Sequence, residues 1–97
     1  MNKVEQHKQI CKNLNEIYAS KNSDYGDSFG ITYDKLGIIS AVTRITDKYN
    51  RLVELATKKD YLVKDETISD TLLDMANYAI MTYMEIQYDS EALKYTE

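Results

Sequence analysis

No proline occurs anywhere in the 97 residues and glycine occurs only three times, so nothing in the chain forbids helices of about twenty residues or more. The apolar residues recur at the 3–4 spacing that such helices need to bury one side. In the stretch that opens at Lys64, the residues Ile68, Leu72, Met75, Ala76, Ala79, Ile80, Tyr83 and Ile86 fall in one broad arc at about 100° per residue. The sequence therefore predicts an all-α chain, an antiparallel bundle of three main helices over about 3–21, 34–57 and 65–88, in one domain spanning 1–97. The polar stretch 89–97 reads as a tail that frays or forms an arm.

The first helix takes its core stripe from Val4, His7, Cys11, Leu14, Ile17 and Tyr18. Cys11, the single cysteine, falls between Ile10 and Leu14 and reads as a buried small hydrophobe, with no partner for a disulfide or a zinc site. His7, the single histidine, reads as structural or solvated. The segment Lys21-Asn22-Ser23-Asp24-Tyr25-Gly26-Asp27-Ser28-Phe29-Gly30 is rich in turn formers and reads as the start of an irregular connector running to about Asp34. Its two aromatics, Tyr25 and Phe29, either plug the end of the bundle or stack on a flat ligand. Its glycines lack the spacing and the Gly-Lys-Ser/Thr ending of a phosphate loop.

The second helix reads as capped by Asp34, with Ile38, Ala41, Val42, Ile45, Tyr49, Leu52, Val53 and Ala56 on its apolar face. Beside that face runs a basic stripe, Arg44, Lys48 and Arg51. The third helix, with Asp65 as a candidate N-cap, carries an acidic stripe, Glu66, Asp70 and Asp74, at i, i+4, i+8. Like charges at that spacing oppose a helix by about 0.2–0.5 kcal/mol per pair, so a positive partner is required. The connector Lys58-Lys59-Asp60-Tyr61-Leu62-Val63-Lys64 starts polar, becomes apolar, and makes the two helices antiparallel neighbours. A ladder of interhelical salt bridges is one answer to the stripes, although exposed pairs give only about 0–1 kcal/mol each. A nucleotide-phosphate site is the other, because arginine holds phosphate by paired hydrogen bonds while carboxylates hold a divalent cation or accept from base and sugar.

The formal net charge of −4 argues against a general nucleic-acid binder, which needs a basic surface. No apolar run reaches the roughly 20 residues of a membrane span, and the N-terminus is polar, so the expectation is a cytoplasmic protein with no membrane partner. The third helix carries more apolar circumference than two neighbours in one chain would cover, which predicts a homo-oligomer, a dimer or a tetramer. No serine, cysteine or histidine constellation for covalent catalysis stands out, and no catalytic residue is assigned.

Lys21 to Phe29, then Arg44-x-x-Asp47-Lys48-x-x-Arg51-Leu52 with Leu55, then Asp65-Glu66-Thr67-Ile68-x-Asp70-Thr71-Leu72-Leu73-Asp74-x-Ala76-Asn77-Tyr78-Ala79, together resemble the small domain family named "nucleotide modification associated", common in phage genomes. That family is in turn distantly similar to the all-α nucleoside-triphosphate pyrophosphatases, the MazG and dimeric dUTPase group, in which carboxylates on two adjacent helices hold magnesium. The resemblance places Glu66, Asp70 and Asp74 where that group has its second acidic cluster, and implies Mg2+ as cofactor if the chain is an enzyme. Where the first cluster stands in that group, this chain has Arg44, Asp47, Lys48, Arg51 and Glu54.

The expected function is binding of a phosphorylated nucleotide or a cyclic nucleotide signal, for sequestration or for nucleotide modification, in the host cytoplasm if the chain is phage-encoded. Arg44, Lys48 and Arg51 are the candidates for phosphate, Tyr25 or Phe29 for the base, and Asp70, Asp74 or Asn77 for base and sugar, with Lys21 a further ligand-binding candidate. The alternatives are a Mg2+-dependent nucleoside-triphosphate pyrophosphohydrolase using Glu66, Asp70 and Asp74 as ligands, and an interaction protein whose stripes are salt bridges.

Overall fold

The computed structural model describes residues 2–58 and 65–96, and the side chains of all of these except 65–66 and 90–96. Among the described residues the chain is entirely α-helical in its regular structure, in four helices: α1 (Lys3–Tyr25), α2 (Ser28–Leu36), α3 (Ile38–Thr57) and α4 (Asp65–Thr96). The all-α expectation holds, with four helices where three main ones were expected. The turn-rich segment is the reason. Asp27 caps α2, its Oδ1 accepting from the Gly30 N–H at 3.1 Å, so a stretch expected to be irregular becomes a nine-residue helix. Asp34 therefore lies inside α2 and caps nothing. Residues 59–64, and with them the expected apolar end of that connector, lie outside the described residues, as does Glu97. The expected tail from 89 onward instead continues α4 as far as Thr96.

Two glycines make the corners. Gly26 (φ 69, ψ −165) ends α1, its N–H donating to the Asn22 carbonyl at 2.8 Å, and Gly37 (φ 76, ψ −169) separates α2 from α3, its N–H donating to the Tyr33 carbonyl at 2.7 Å. This region of backbone space is open to glycine almost alone, which is why the chain turns at these two positions. At its other end α1 is capped by Asn2, whose Oδ1 accepts from the Glu5 N–H at 2.8 Å.

The core lies where α2, α3 and α4 meet. Ala41, 1% exposed, packs with Phe29 and Tyr33, and Tyr78 and Met81 close over them. Small residues let α3 and α4 approach closely, and the buried Thr71 and Thr82 spend their hydroxyls on the Thr67 and Tyr78 carbonyls at 2.7 Å. The two helices run antiparallel, as the facing pairs Lys48 with Asp74 and Arg44 with Tyr78 require. α1 rests on α4, held by Leu14 and by the Asn77 Nδ2, which donates to the Leu14 carbonyl at 3.2 Å. Because only part of the α1 face is covered, Cys11 is exposed rather than buried, with its Sγ 3.7 Å from His7 Nδ1.

Gly37→Ala puts a Cβ on a backbone that L residues rarely adopt; it should cost about 1–3 kcal/mol and lower the thermal midpoint by several degrees in a circular-dichroism melt. An unchanged midpoint would mean that the α2–α3 corner is not held in this conformation.

Candidate functional site

A cleft of about 210 Å³ opens between the C-terminal turns of α1, the start of α2, and the middle of α3 and α4. α1 supplies Tyr18, Lys21, Asn22 and Tyr25, which share one side of the helix at i, i+3, i+4, i+7; α3 supplies Arg44, and α4 supplies Asp74, Asn77, Tyr78 and Met81. The helix corner Gly26-Asp27-Ser28-Phe29 forms the end wall. Six of the candidate ligand residues thus meet in one place: Lys21, Tyr25, Phe29, Arg44, Asp74 and Asn77.

Arg44 is the centre of the arrangement. Phe29 and Tyr78 stack with centroids 6.0 Å apart and planes 16° from parallel, and the Arg44 guanidinium lies 5.9 Å from each centroid. Such contacts stabilise the cation by about 0.5–1 kcal/mol each while leaving its N–H donors free to point elsewhere. Arg44 is half-buried and makes no ion pair among the described residues. The register of α3 on α4 explains this. Lys48 meets the last acid of the stripe, and one turn beyond it the α4 position is Tyr78, so Arg44 finds an aromatic ring instead of a carboxylate.

Asp74 receives Lys48 at 3.0 Å and Lys21 at 3.6 Å. Among the described residues the expected salt-bridge ladder is therefore realised at one rung, and that rung carries two lysines. Arg51 and Asp70 are both exposed and line no part of the cleft. Of the carboxylates assigned to magnesium, the Glu66 side chain lies outside the described residues, Asp70 is exposed, and Asp74 has two ammonium groups where a dication would stand. Among the described residues no group of three His, Cys, Asp or Glu could hold a metal ion. The surroundings of Asp74 suit an anion's neighbour better than a chelated cation.

The two aromatics divide between the roles open to them. Phe29, 7% exposed, is a core residue whose ring is engaged by Tyr78 and Arg44. Tyr25, 77% exposed, stands at the rim with its ring open to solvent. Asn77 is partly committed, since one amide N–H already holds α1, leaving its second N–H and its oxygen for the cleft. The end wall combines the Asp27 carboxylate with the positive end of a helix. Ser28 and Phe29 open α2, where first-turn N–H groups have no intrahelical acceptor and the helix dipole is positive. Among the lining residues Lys21 and Arg44 balance Asp74 and Asp27; Lys48, outside the lining, also holds Asp74, and Asp27 is bound to its own helix cap.

Tyr18, expected in the core stripe of the first helix, lines the cleft instead, and Asn22, Asp27, Ser28, Tyr78 and Met81 line it although the sequence marks none of them as a ligand residue. The α1 members carried a usable signal, because Tyr18, Lys21, Asn22 and Tyr25 keep a helical 3–4 spacing straight through the segment that turn propensity assigned to a loop. Asp27, a favoured N-cap residue type, was likewise a helix-start signal.

At the far side of α2, Glu85 of α4 lies against Gly30 so closely that a Cβ there would strike its Oε1 as well as the Asp27 carboxylate. Burial, then the nearby charges of Asp27, Asp34 and Asp89, push the Glu85 carboxyl above its ordinary range. Burial, with Asp89 and Glu85 adding to it, also raises the Tyr33 hydroxyl. A carboxyl raised in the folded state penalises folding once it ionises. That penalty is absent below the unfolded carboxylate pKa, near 4.3, and grows as pH rises through the folded value. Glu85→Gln should therefore raise the thermal midpoint at pH 7, with the gap to wild type closing toward about pH 4. A pH-independent gap would remove the electrostatic explanation.

Residues 21–86 match the family described as "nucleotide modification associated domain 1". No curated protein and no solved structure matches the chain.

Proposed function

The chain belongs to the nucleotide modification associated domain 1 family, and from that premise we propose that its cleft binds a phosphorylated nucleotide, holding the phosphate at Arg44. One observation carries the reading: a half-buried guanidinium, oriented by two aromatic rings and free of any carboxylate among the described residues, faces a cleft. Keeping a cation partly out of water without a counter-ion costs free energy that an incoming anion returns. Lys21 lines the same space, and Ser28 and Phe29, the first residues of α2, bring the positive end of that helix to it. Tyr25 stacks on the base, and Asn77 with Asp74 meets base or sugar. Lys48 acts by holding Asp74, and Arg51 and Asp70 stay outside the contact.

The size of the cleft limits how much of the ligand is enclosed. At about 210 Å³ it falls short of the roughly 300–1,000 Å³ of sites that swallow a whole small molecule, so the base or the phosphate end enters and the rest stays at the rim. That suits a protein that captures a nucleotide for sequestration, or presents one to modification chemistry, more than one that must exclude water from a reacting phosphate.

The test is to incubate the purified protein with nucleoside triphosphates and cyclic dinucleotides, with and without magnesium, and to identify what heat releases from it. Intact nucleotide is the expected result. Arg44→Met should weaken binding at least tenfold, the loss of one charge-assisted contact at about 1.5–3 kcal/mol, and Tyr25→Ala should weaken it several-fold, both read by calorimetric titration. No binding tighter than millimolar would end the proposal. Monophosphate and pyrophosphate appearing only with magnesium would replace it with the hydrolase reading, in which Glu66, Asp70 and Asp74 hold the ion.

A further inference from the structure

The face of the α3–α4 pair that points away from the cleft is uncharged along its length. On α3 it is formed by Ile38, Val42, Thr46, Tyr49, Val53 and Ala56, and on α4 by Ile68, Leu72, Ala79, Tyr83 and Ile86. Ile38, Val42, Tyr49, Val53, Leu72, Tyr83 and Ile86 are each exposed by 40% or more. The helical wheel places these residues about 120° from the side of each helix that meets the other, and in an antiparallel pair the two stripes then lie on one side. The cleft residues Arg44, Asp74 and Asn77, with Lys48 beside Asp74 and α1 behind them, lie on the opposite side.

The area sets the scale of what is missing. A compact monomer of 11.3 kDa exposes about 5,700 Å², whereas this chain exposes 7672 Å². The elongated shape, 55 × 33 × 25 Å, and the largely uncovered α1 share in the excess of about 2,000 Å², which still exceeds the roughly 800 Å² that each partner buries in a standard contact. We infer that this α3–α4 face binds a second copy of the chain through a two-fold axis, giving a four-helix core with the two clefts on its outer sides. A second copy fits better than an acidic or membrane partner because the face offers no Lys or Arg to either, while two uncharged faces bearing Tyr49 and Tyr83 complement each other.

The inference is independent of the ligand, so its test omits nucleotide. Light scattering on a sizing column should give about twice 11.3 kDa at tens of micromolar. Val42→Glu and Tyr83→Glu should each return the mass to one chain with helicity retained by circular dichroism, while Val4→Glu, on the exposed side of α1, should leave the mass doubled. Hydrogen exchange of the wild type covers the case in which a variant fails to fold: protection over 38–53 and 72–86 should rise with protein concentration. A wild-type mass of one chain, or concentration-dependent protection on α1 instead, would overturn the inference.

Discussion

The contact on which the rest depends is the pairing of α3 with α4 through Lys48 on Asp74 and Arg44 on Tyr78. It fixes an antiparallel register. Shifted by one turn, Arg44 would meet Asp74, the cation would be neutralised, and the cleft would lose the free guanidinium that makes it a candidate anion site. The lysine pair is worth little as stability, since each partner keeps about a quarter to a third of its side chain in water. Its consequence is positional: it holds Asp74 between two lysines and leaves arginine to the aromatic rings. The same register presents the opposite sides of both helices as one uncharged layer.

α2 converts that register into a site. The Asp27 cap and the two glycine corners, Gly26 and Gly37, swing a short helix across the end of the pair so that Phe29 reaches Tyr78 and Arg44. One aromatic is consumed as scaffold, and its neighbour Tyr25 is left at the rim on the last turn of α1. Glu85, pressed on Gly30 among like charges, shows that the α2 docking is electrostatically strained on the side away from the cleft.

The all-α class was legible because the absence of proline and the 3–4 apolar spacing act over tens of residues, where local ambiguities average out. The helix at 28–36 was not, because its start depends on one side chain, Asp27, turning back onto the Gly30 N–H, and glycine and serine around it weigh toward a loop. The basic and acidic stripes were visible as patterns, but a pattern on each helix carries no register between them. Hence Lys48 met its acid, Arg44 did not, and Arg51 and Asp70 fell outside the cleft. The role of Tyr78 was not legible, since nothing in a single helix reveals which cation will lie over a ring. Cys11 was read as buried from its apolar neighbours, although the partner surface that would bury it does not extend that far along α1.

The central claim, that Arg44 is a cation held ready for an anion, is tested most directly by following its own side chain. In nitrogen-15 labelled protein titrated with a nucleoside triphosphate, the Arg44 Nε–H resonance and the Ser28 and Phe29 amides should shift together and saturate. A titration that saturates while these three stay in place would put the nucleotide elsewhere on the molecule and contradict the account.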